Sequence, residues 1–209
     1  PMARMLSRIG VILALLLLFA PERGHAEGVA AARAIVEDLS TRALNLVSTG
    51  HIDPVRKRQG FDTLLSEHFD MATIGRFVLG RYWRVATPAE KDRYLSRFKK
   101  IVVETYANRF SAYDGQRLRI INAARLDTRY VIVNSEIYHP DRATTVYRVD
   151  WRLIDRKGAL KIIDVVIEGV SLSITQRSEY GAYIRANGGK IANLLVAMDR
   201  QLASFGIVD

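Results

Sequence analysis

The chain of 209 residues contains no cysteine. Disulfides, thiolate nucleophiles and cysteine-ligated zinc are therefore excluded. Histidine is scarce too. His25, His51, His68 and His139 sit on different segments without metal-ligand spacing, and each reads as a surface or boundary residue. The sequence has no P-loop, no Rossmann glycine pattern, no Gly-x-Ser-x-Gly and no His-Glu-x-x-His. It also lacks internal repeats, linkers and low-complexity stretches. One pair of carboxylates, Asp164 and Glu168, falls on one face of a predicted strand and could do acid–base work. No nucleophile or metal ligand accompanies them. A structural role accounts for both: Asp164 paired with an arginine on a neighbouring strand, Glu168 capping the following turn. These absences favour a binding protein over an enzyme.

What is present is ordinary for a globular protein, with 49% apolar and 25% charged residues. The length suits one domain plus an extension. The formal charge is +9 and the sequence pI is about 10.0. That balance suggests an anionic partner: nucleic acid, a membrane surface or an acidic protein. Residues 2–26 narrow the choice. Arg4 and Arg8 precede an apolar run, Ile9 to Ala20, and Gly24-His25-Ala26 offers small residues where a signal peptidase reads. The run is shorter than the ~20 residues that span a bilayer. We expect a secretory signal peptide over 1–26, a single domain over 27–209 and a periplasmic location. Cleavage would leave a formal charge of +7, because three arginines and one glutamate depart. Export makes nucleic acid an unsuitable partner and leaves anionic membranes or acidic proteins. Arg76, Arg81, Arg84, Arg93, Arg97, Lys99 and Lys100 cluster around one predicted helix, as a solvated face or as a patch for phosphate groups or an acidic partner.

The rest of the pattern is helices, strands, then helices. Val29 to Val47 repeats its apolar residues at helical period. Asp53-Pro54 opens a second helix and Asp70 caps a short third over Met71 to Leu79. Thr87-Pro88-Ala89-Glu90 is a capping box for a long helix reaching about Ala112. The period then changes to two. Gln116 to Leu126, Arg129 to Tyr138, Thr144 to Ile154 and Ala159 to Val170 read as four strands with short, turn-rich links, hence an antiparallel meander. The fourth is apolar on both faces, which implies a central position or covering on both sides. Helices over about Ser171 to Ala186 and Gly189 to Ser204 close an α+β domain. Pattern alone leaves two interiors open, a filled core or an apolar pocket between sheet and helices.

Two stretches carry a resemblance. Phe77-Val-Leu-Gly-Arg-Tyr-Trp-Arg84 with Ala86-Thr-Pro-Ala-Glu90, and Asp164-Val-Val-Ile-Glu-Gly-Val-Ser-Leu172 with Arg177 and Tyr183-Ile-Arg185, resemble segments of the MlaC-like family, also called the toluene-tolerance auxiliary component. The resemblance runs from about Ala30 to Leu202 in order and spacing. It implies a periplasmic lipid carrier with no cofactor and no covalent chemistry. Such a carrier would move phospholipid between an outer-membrane lipoprotein complex and an inner-membrane ABC transporter complex, to maintain outer-membrane asymmetry. Its acyl tails would sit in an apolar pocket and its head group near solvent. Tyr106-Ala-Asn-Arg-Phe110 and Ala186-Asn-Gly-Gly189 resemble a hopanoid-associated branch, so a hopanoid or other polycyclic lipid is an alternative ligand. A non-catalytic periplasmic adaptor, or an enzyme using Asp164 or His68 as base, are the readings from other classes. For a carrier, the inward stripes nominate Phe77, Trp83, Tyr106, Phe110, Val149, Trp151, Val165, Ile167 and Val170 as lining, with Val131 and Val133 behind them. Gly169 should permit a tight turn, with Ser171 capping the next helix.

Overall fold

The computed structural model describes residues 23–48, 53–109, 113–156 and 158–207. Helix α1 (Arg23–Ser48) includes the residues of the expected cleavage site, and the apolar run Ile9 to Ala20 lies outside the described residues. α1 buries Ala32, Val36 and Leu39, the stripe its period predicts. After it come α2 (Pro54–His68), α3 (Met71–Leu79), a 3-10 turn (Gly80–Arg84) and α4 (Pro88–Arg109). The starts of α2, α3 and α4 each use the predicted side chain. Asp53 accepts the Val55 N–H at 3.4 Å, and Asp70 accepts the Thr73 N–H at 2.9 Å. Thr87 and Glu90 are reciprocal: the Glu90 N–H donates to Thr87 Oγ1 at 3.2 Å, and the Thr87 N–H donates to Glu90 Oε2 at 2.9 Å. These bonds satisfy donors that the first turn of a helix leaves without partners.

The sheet follows, as β1 (Arg117–Arg125), β2 (Tyr130–His139), β3 (Arg142–Arg156), β4 (Ala159–Ile167) and β5 (Val170–Ser171), and then α5 (Leu172–Ala186) and α6 (Ile191–Ser204). The strands are antiparallel in the order β1-β2-β3-β4-β5. The expected four strands are thus five. The fourth ends at Ile167 because Glu168 and Gly169 take φ values of 50° and 80°. Positive φ at both central residues makes the two-residue turn that hairpins favour. The chain folds back so that Val170 pairs Ile167 and Ser171 pairs Val166. Ser171 then caps α5, its hydroxyl accepting the Ile174 N–H at 3.1 Å. β4 is apolar on both faces because both are covered: Ile162 and Val166 are buried, and Ile163 and Val165 are half-buried.

The core falls into three clusters. Ala32, Val36 and Leu39 of α1 and Leu64 of α2 pack on Val131, Val133 and Leu153 of the sheet. Phe61 and Leu65 of α2 meet Val103 and Ala107 of α4. Tyr94 and Phe98 of α4 join Val78 of α3, Ile184 of α5 and Leu194 and Met198 of α6. Polar ties cross the seams between helices and sheet. Glu104 is 3% exposed and forms an ion pair with Arg58, fastening α4 to α2. Arg156 of β3 reaches Asp70 at 3.2 Å and Thr73 at 2.8 Å, fastening the sheet to α3.

The two stretches that carry the family resemblance meet in space. Gly80 ends α3 with φ 60°, and a Cβ there would lie 3.2 Å from the Arg177 guanidinium. That guanidinium sits over the Phe77 ring at 4.8 Å. A glycine is needed both for the backbone and for the approach of Arg177. The Gly-Arg-Tyr-Trp segment is therefore part of a clasp between α3 and α5.

Asp70 gives a test of this frame. Burial works against its carboxylate, but the Thr73 hydroxyl, the Thr73 N–H and Arg156 outweigh burial and hold its pKa below the usual value. Asp70→Ala should cost about 1 kcal/mol in urea unfolding at neutral pH. A lowered folded-state pKa contributes stability above the unfolded value of about 3.9 and loses it as pH falls through the folded one. The deficit of Asp70→Ala should therefore shrink in acid, and a deficit constant down to pH ~2 would contradict this assignment.

Candidate functional site

The three clusters do not meet in the middle. They surround a cavity of about 930 Å³, near the upper end of the ~300–1,000 Å³ typical of ligand pockets. The choice left open by the sequence, filled core or pocket, is decided by this space. α1 contributes Leu39, Ala43 and Leu44 to the wall, and α2 contributes Phe61, Leu64 and Leu65. α4 runs along it with Phe98, Ile101, Val102, Thr105 and Tyr106, at helical spacing. Ile137 of β2, Val149 and Trp151 of β3, and Val165 and Ile167 of β4 form the sheet side. Their shared face follows from register: Val149 pairs Ile167 and Trp151 pairs Val165. Tyr180 and Tyr183 of α5 and Met198 of α6 close the far side.

Of the residues nominated from the sequence, Tyr106, Val149, Trp151, Val165 and Ile167 stand in this wall. Three do not. Phe77 points away from the cavity, under Arg177, because the inward face of α3 is taken by Ile74 and Val78. Trp83 packs on the helical cluster from the 3-10 turn, with Lys91 Nζ 5.3 Å from its ring centre. Val170 is 56% exposed, since the hairpin turn carries it to the sheet edge. Phe110 lies outside the described residues. Val131 and Val133 are fully buried beneath α1 as core rather than wall.

Two features escaped the sequence. The first is the contribution of α2, whose Phe61, Leu64 and Leu65 read only as a core stripe; periodicity gives the face and not what lies beyond it. The second is Ser135, which is 0% exposed. Its hydroxyl donates to the Val149 carbonyl at 2.8 Å and accepts the Trp151 indole N–H at 2.9 Å. It thereby fixes the indole in the cavity wall. A serine at the inward parity of an otherwise apolar strand is the signal that could have found it.

Polar side chains are a minority of the wall. Arg109, Tyr113, Gln116 and Arg117 come from the end of α4 and the start of β1, and Gln176 and Glu179 come from α5. The Tyr106 and Tyr180 phenols stay neutral at physiological pH. Burial pushes Tyr106 upward against the opposing effect of Arg109, and burial with Glu179 nearby pushes Tyr180 to about 12. Asp164 reaches the wall with its oxygens engaged. It accepts from the Ser171 hydroxyl at 2.6 Å and the Ser173 N–H at 3.1 Å, and Arg152 lies 3.8 Å away. Glu168 accepts the Arg148 N–H across the sheet rather than capping the turn that follows it. Both carboxylates serve the hairpin that launches α5.

The histidines and the basic cluster also resolve into structure. His68 stands outside the wall, with its Nε2 3.0 Å from Asp38, and burial lowers its pKa. Among the described residues no group of three His, Cys, Asp or Glu could hold a metal ion. Arg93 and Arg97 pair with Asp199, Lys99 pairs with Asp62 at 2.8 Å, and Arg81 lies over the Tyr82 ring. Much of the basic cluster is thus spent on internal ties. No helix among the described residues is long and apolar enough to cross a membrane.

Comparison with known proteins places this architecture. The family model described as MlaC protein matches residues 36–200. The toluene tolerance protein ttg2D of Pseudomonas putida is 24% identical over 111 residues, which is 53% of this chain and 51% of that protein. The intermembrane phospholipid transport system binding protein MlaC of Haemophilus influenzae is 23% identical over 110 residues, 52% of this chain and 51% of that protein. The chain thus spans about half the length of the curated relatives it matches. A phospholipid-binding protein from Ralstonia solanacearum, solved in complex with a phospholipid, shares the fold. Its TM-score is 0.68 at 20% identity, covering 86% of this chain and 98% of that one.

The Ser135 contact predicts a measurable cost. Ser135→Ala leaves the Trp151 indole N–H without its acceptor and should lower stability by about 1–3 kcal/mol. The near-ultraviolet circular dichroism of the tryptophans should weaken at the same time. An unchanged unfolding midpoint would show that the indole has another acceptor.

Proposed function

This chain belongs to the MlaC family, and from that premise we propose that it is a periplasmic carrier that shields the acyl tails of a phospholipid. The observation that carries the reading is the cavity of about 930 Å³ with its predominantly apolar wall. The space is open to its surroundings and holds either solvent or ligand. Water gains little from an apolar wall, whereas each buried CH₂ of a lipid tail contributes about 0.8 kcal/mol. Tyr106, Val149, Trp151, Val165 and Ile167, with Phe61 and Leu64 of α2, are the proposed tail contacts.

The wider role rests on the family and on the relatives' names. A soluble shuttle suits traffic between an outer-membrane lipoprotein complex and an inner-membrane ABC transporter complex, with residues 1–26 as the export signal. The absence of catalysis is supported by the engaged oxygens of Asp164 and by the position of His68 outside the wall.

Native mass spectrometry of protein purified from its own host tests the reading. The expected spectrum shows the polypeptide plus one diacyl phospholipid, lost on extraction with organic solvent. Val165→Trp or Ala43→Phe should fill part of the space and lower lipid occupancy several-fold while the protein stays folded. Protein that carries no lipid, and takes none from vesicles after delipidation, would sink the proposal. A bound polycyclic terpenoid mass would replace phospholipid by a hopanoid-type ligand.

A further inference from the structure

We propose that Arg109 and Arg117 form a receptor for the phosphodiester of a diacyl lipid at the polar end of the cavity; the inference rests on the carrier reading and extends it to the head group. Arg109 and Arg117 are the cations among the wall residues. Arg109 lies one helical turn beyond Thr105 and Tyr106, which stand in the wall beside it. Arg117 opens β1 immediately before Leu118 of the wall, opposite Tyr138, at the sheet end that also carries Ile137.

Neither makes an ion pair among the described residues, and what sets them apart from the protein's other unpaired arginines is their place in the wall. The acids beside them are already committed. Asp114, three residues from Arg117, pairs with Arg142 at 2.7 Å, and Glu136 on the neighbouring strand pairs with Arg119 at 2.7 Å. In the wall itself Asp164 is engaged by Ser171 and Ser173, and Glu179 accepts from Gln176 at 3.2 Å. Two guanidinium charges are left at the edge of an apolar space, where nothing in the fold needs them. Gln116 and Tyr113 share the wall with them; the Gln116 side-chain carbonyl oxygen accepts the Asp114 N–H at 2.8 Å, and its amide N–H groups have no acceptor among the described residues.

This donor set suits a phosphodiester. A guanidinium presents paired N–H groups in the geometry that two phosphate oxygens accept. Both arginines are exposed, so the phosphate keeps much of its hydration while the tails lose theirs, and the desolvation cost of a buried anion is avoided. The site thereby fixes the orientation of the lipid, with tails inward and phosphate at the α4–β1 junction.

The test compares two ligands with identical short acyl chains, a phosphatidylglycerol and the diacylglycerol that lacks its phosphate, titrated into delipidated full-length protein. Wild type should bind the phosphatidylglycerol more tightly. The double variant Arg109→Gln/Arg117→Gln should weaken phosphatidylglycerol binding roughly tenfold or more and leave diacylglycerol binding unchanged. Arg76→Gln/Arg84→Gln, remote from the wall, should change neither. Glycerol 3-phosphate should not displace the lipid; displacement would mean a free-phosphate site and overturn the lipid assignment. The proposal fails if the double variant binds phosphatidylglycerol as wild type does, or if it loses both ligands equally. If wild type binds neither ligand, the carrier reading itself falls.

Discussion

A hollow centre is the constraint around which the rest of this protein is arranged. The middle of a domain of this size normally supplies the densest packing, and here that contribution is absent. Cohesion has moved outward into three separate clusters and the polar ties between them. α1 is glued to the sheet through Val36 and Leu39, α4 is pinned to α2 by the buried Glu104 with Arg58, and Arg156 joins β3 to the start of α3. Each tie joins two elements that face the cavity from different sides. The wall is also kept rigid where it is thin: Ser135 holds the Trp151 indole, so that a large side chain lines the space without collapsing into it.

The order of elements was largely legible in the sequence because local chemistry decides it. Asp53-Pro54, Asp70, Thr87 with Glu90, and Ser171 each announce a helix start through donors that need acceptors, and the structure uses all of them. Alternation along Tyr147, Val149, Trp151 and Leu153 gave the inner face of β3. The hairpin at Glu168-Gly169 was only half legible. Its glycine announced a tight turn, but a non-glycine residue at φ 50° carries no mark in the sequence, so the strand was drawn three residues too long. The cavity was illegible for a different reason. A side chain against a neighbour and a side chain against a void obey the same periodicity. Phe61 and Leu64 therefore read as core, while Phe77 and Trp83, large and apolar, read as wall when they are not.

The stretches that carry the resemblance reach the wall at Val78, Val165, Ile167 and Tyr183, but their most constrained residues lie away from it. Gly80, Phe77 and Arg177 form the clasp between α3 and α5, and the Glu-Gly-Val-Ser stretch builds the hairpin that launches α5. These positions have narrow physical requirements: a backbone at positive φ, a flat ring under a guanidinium, a hydroxyl at a helix start. The wall has only to be apolar and of suitable volume, which many side chains satisfy.

β4 leads to a last consequence. It is followed in the sheet by a strand of only two residues, so most of its outer edge would be free to pair with another copy of the chain. It is not left so. Phe69 bridges Ile162, the Asp70 N–H donates to the Ile162 carbonyl at 2.9 Å, and the register breaks between Arg152 and Leu153. Irregular pairing and a covered edge are the means by which sheet proteins discourage strand addition. A molecule that opens a large apolar space to its surroundings faces that hazard twice, through its edge and through its mouth. Covering this edge of the sheet lowers one of the two hazards and leaves the mouth of the cavity as the other.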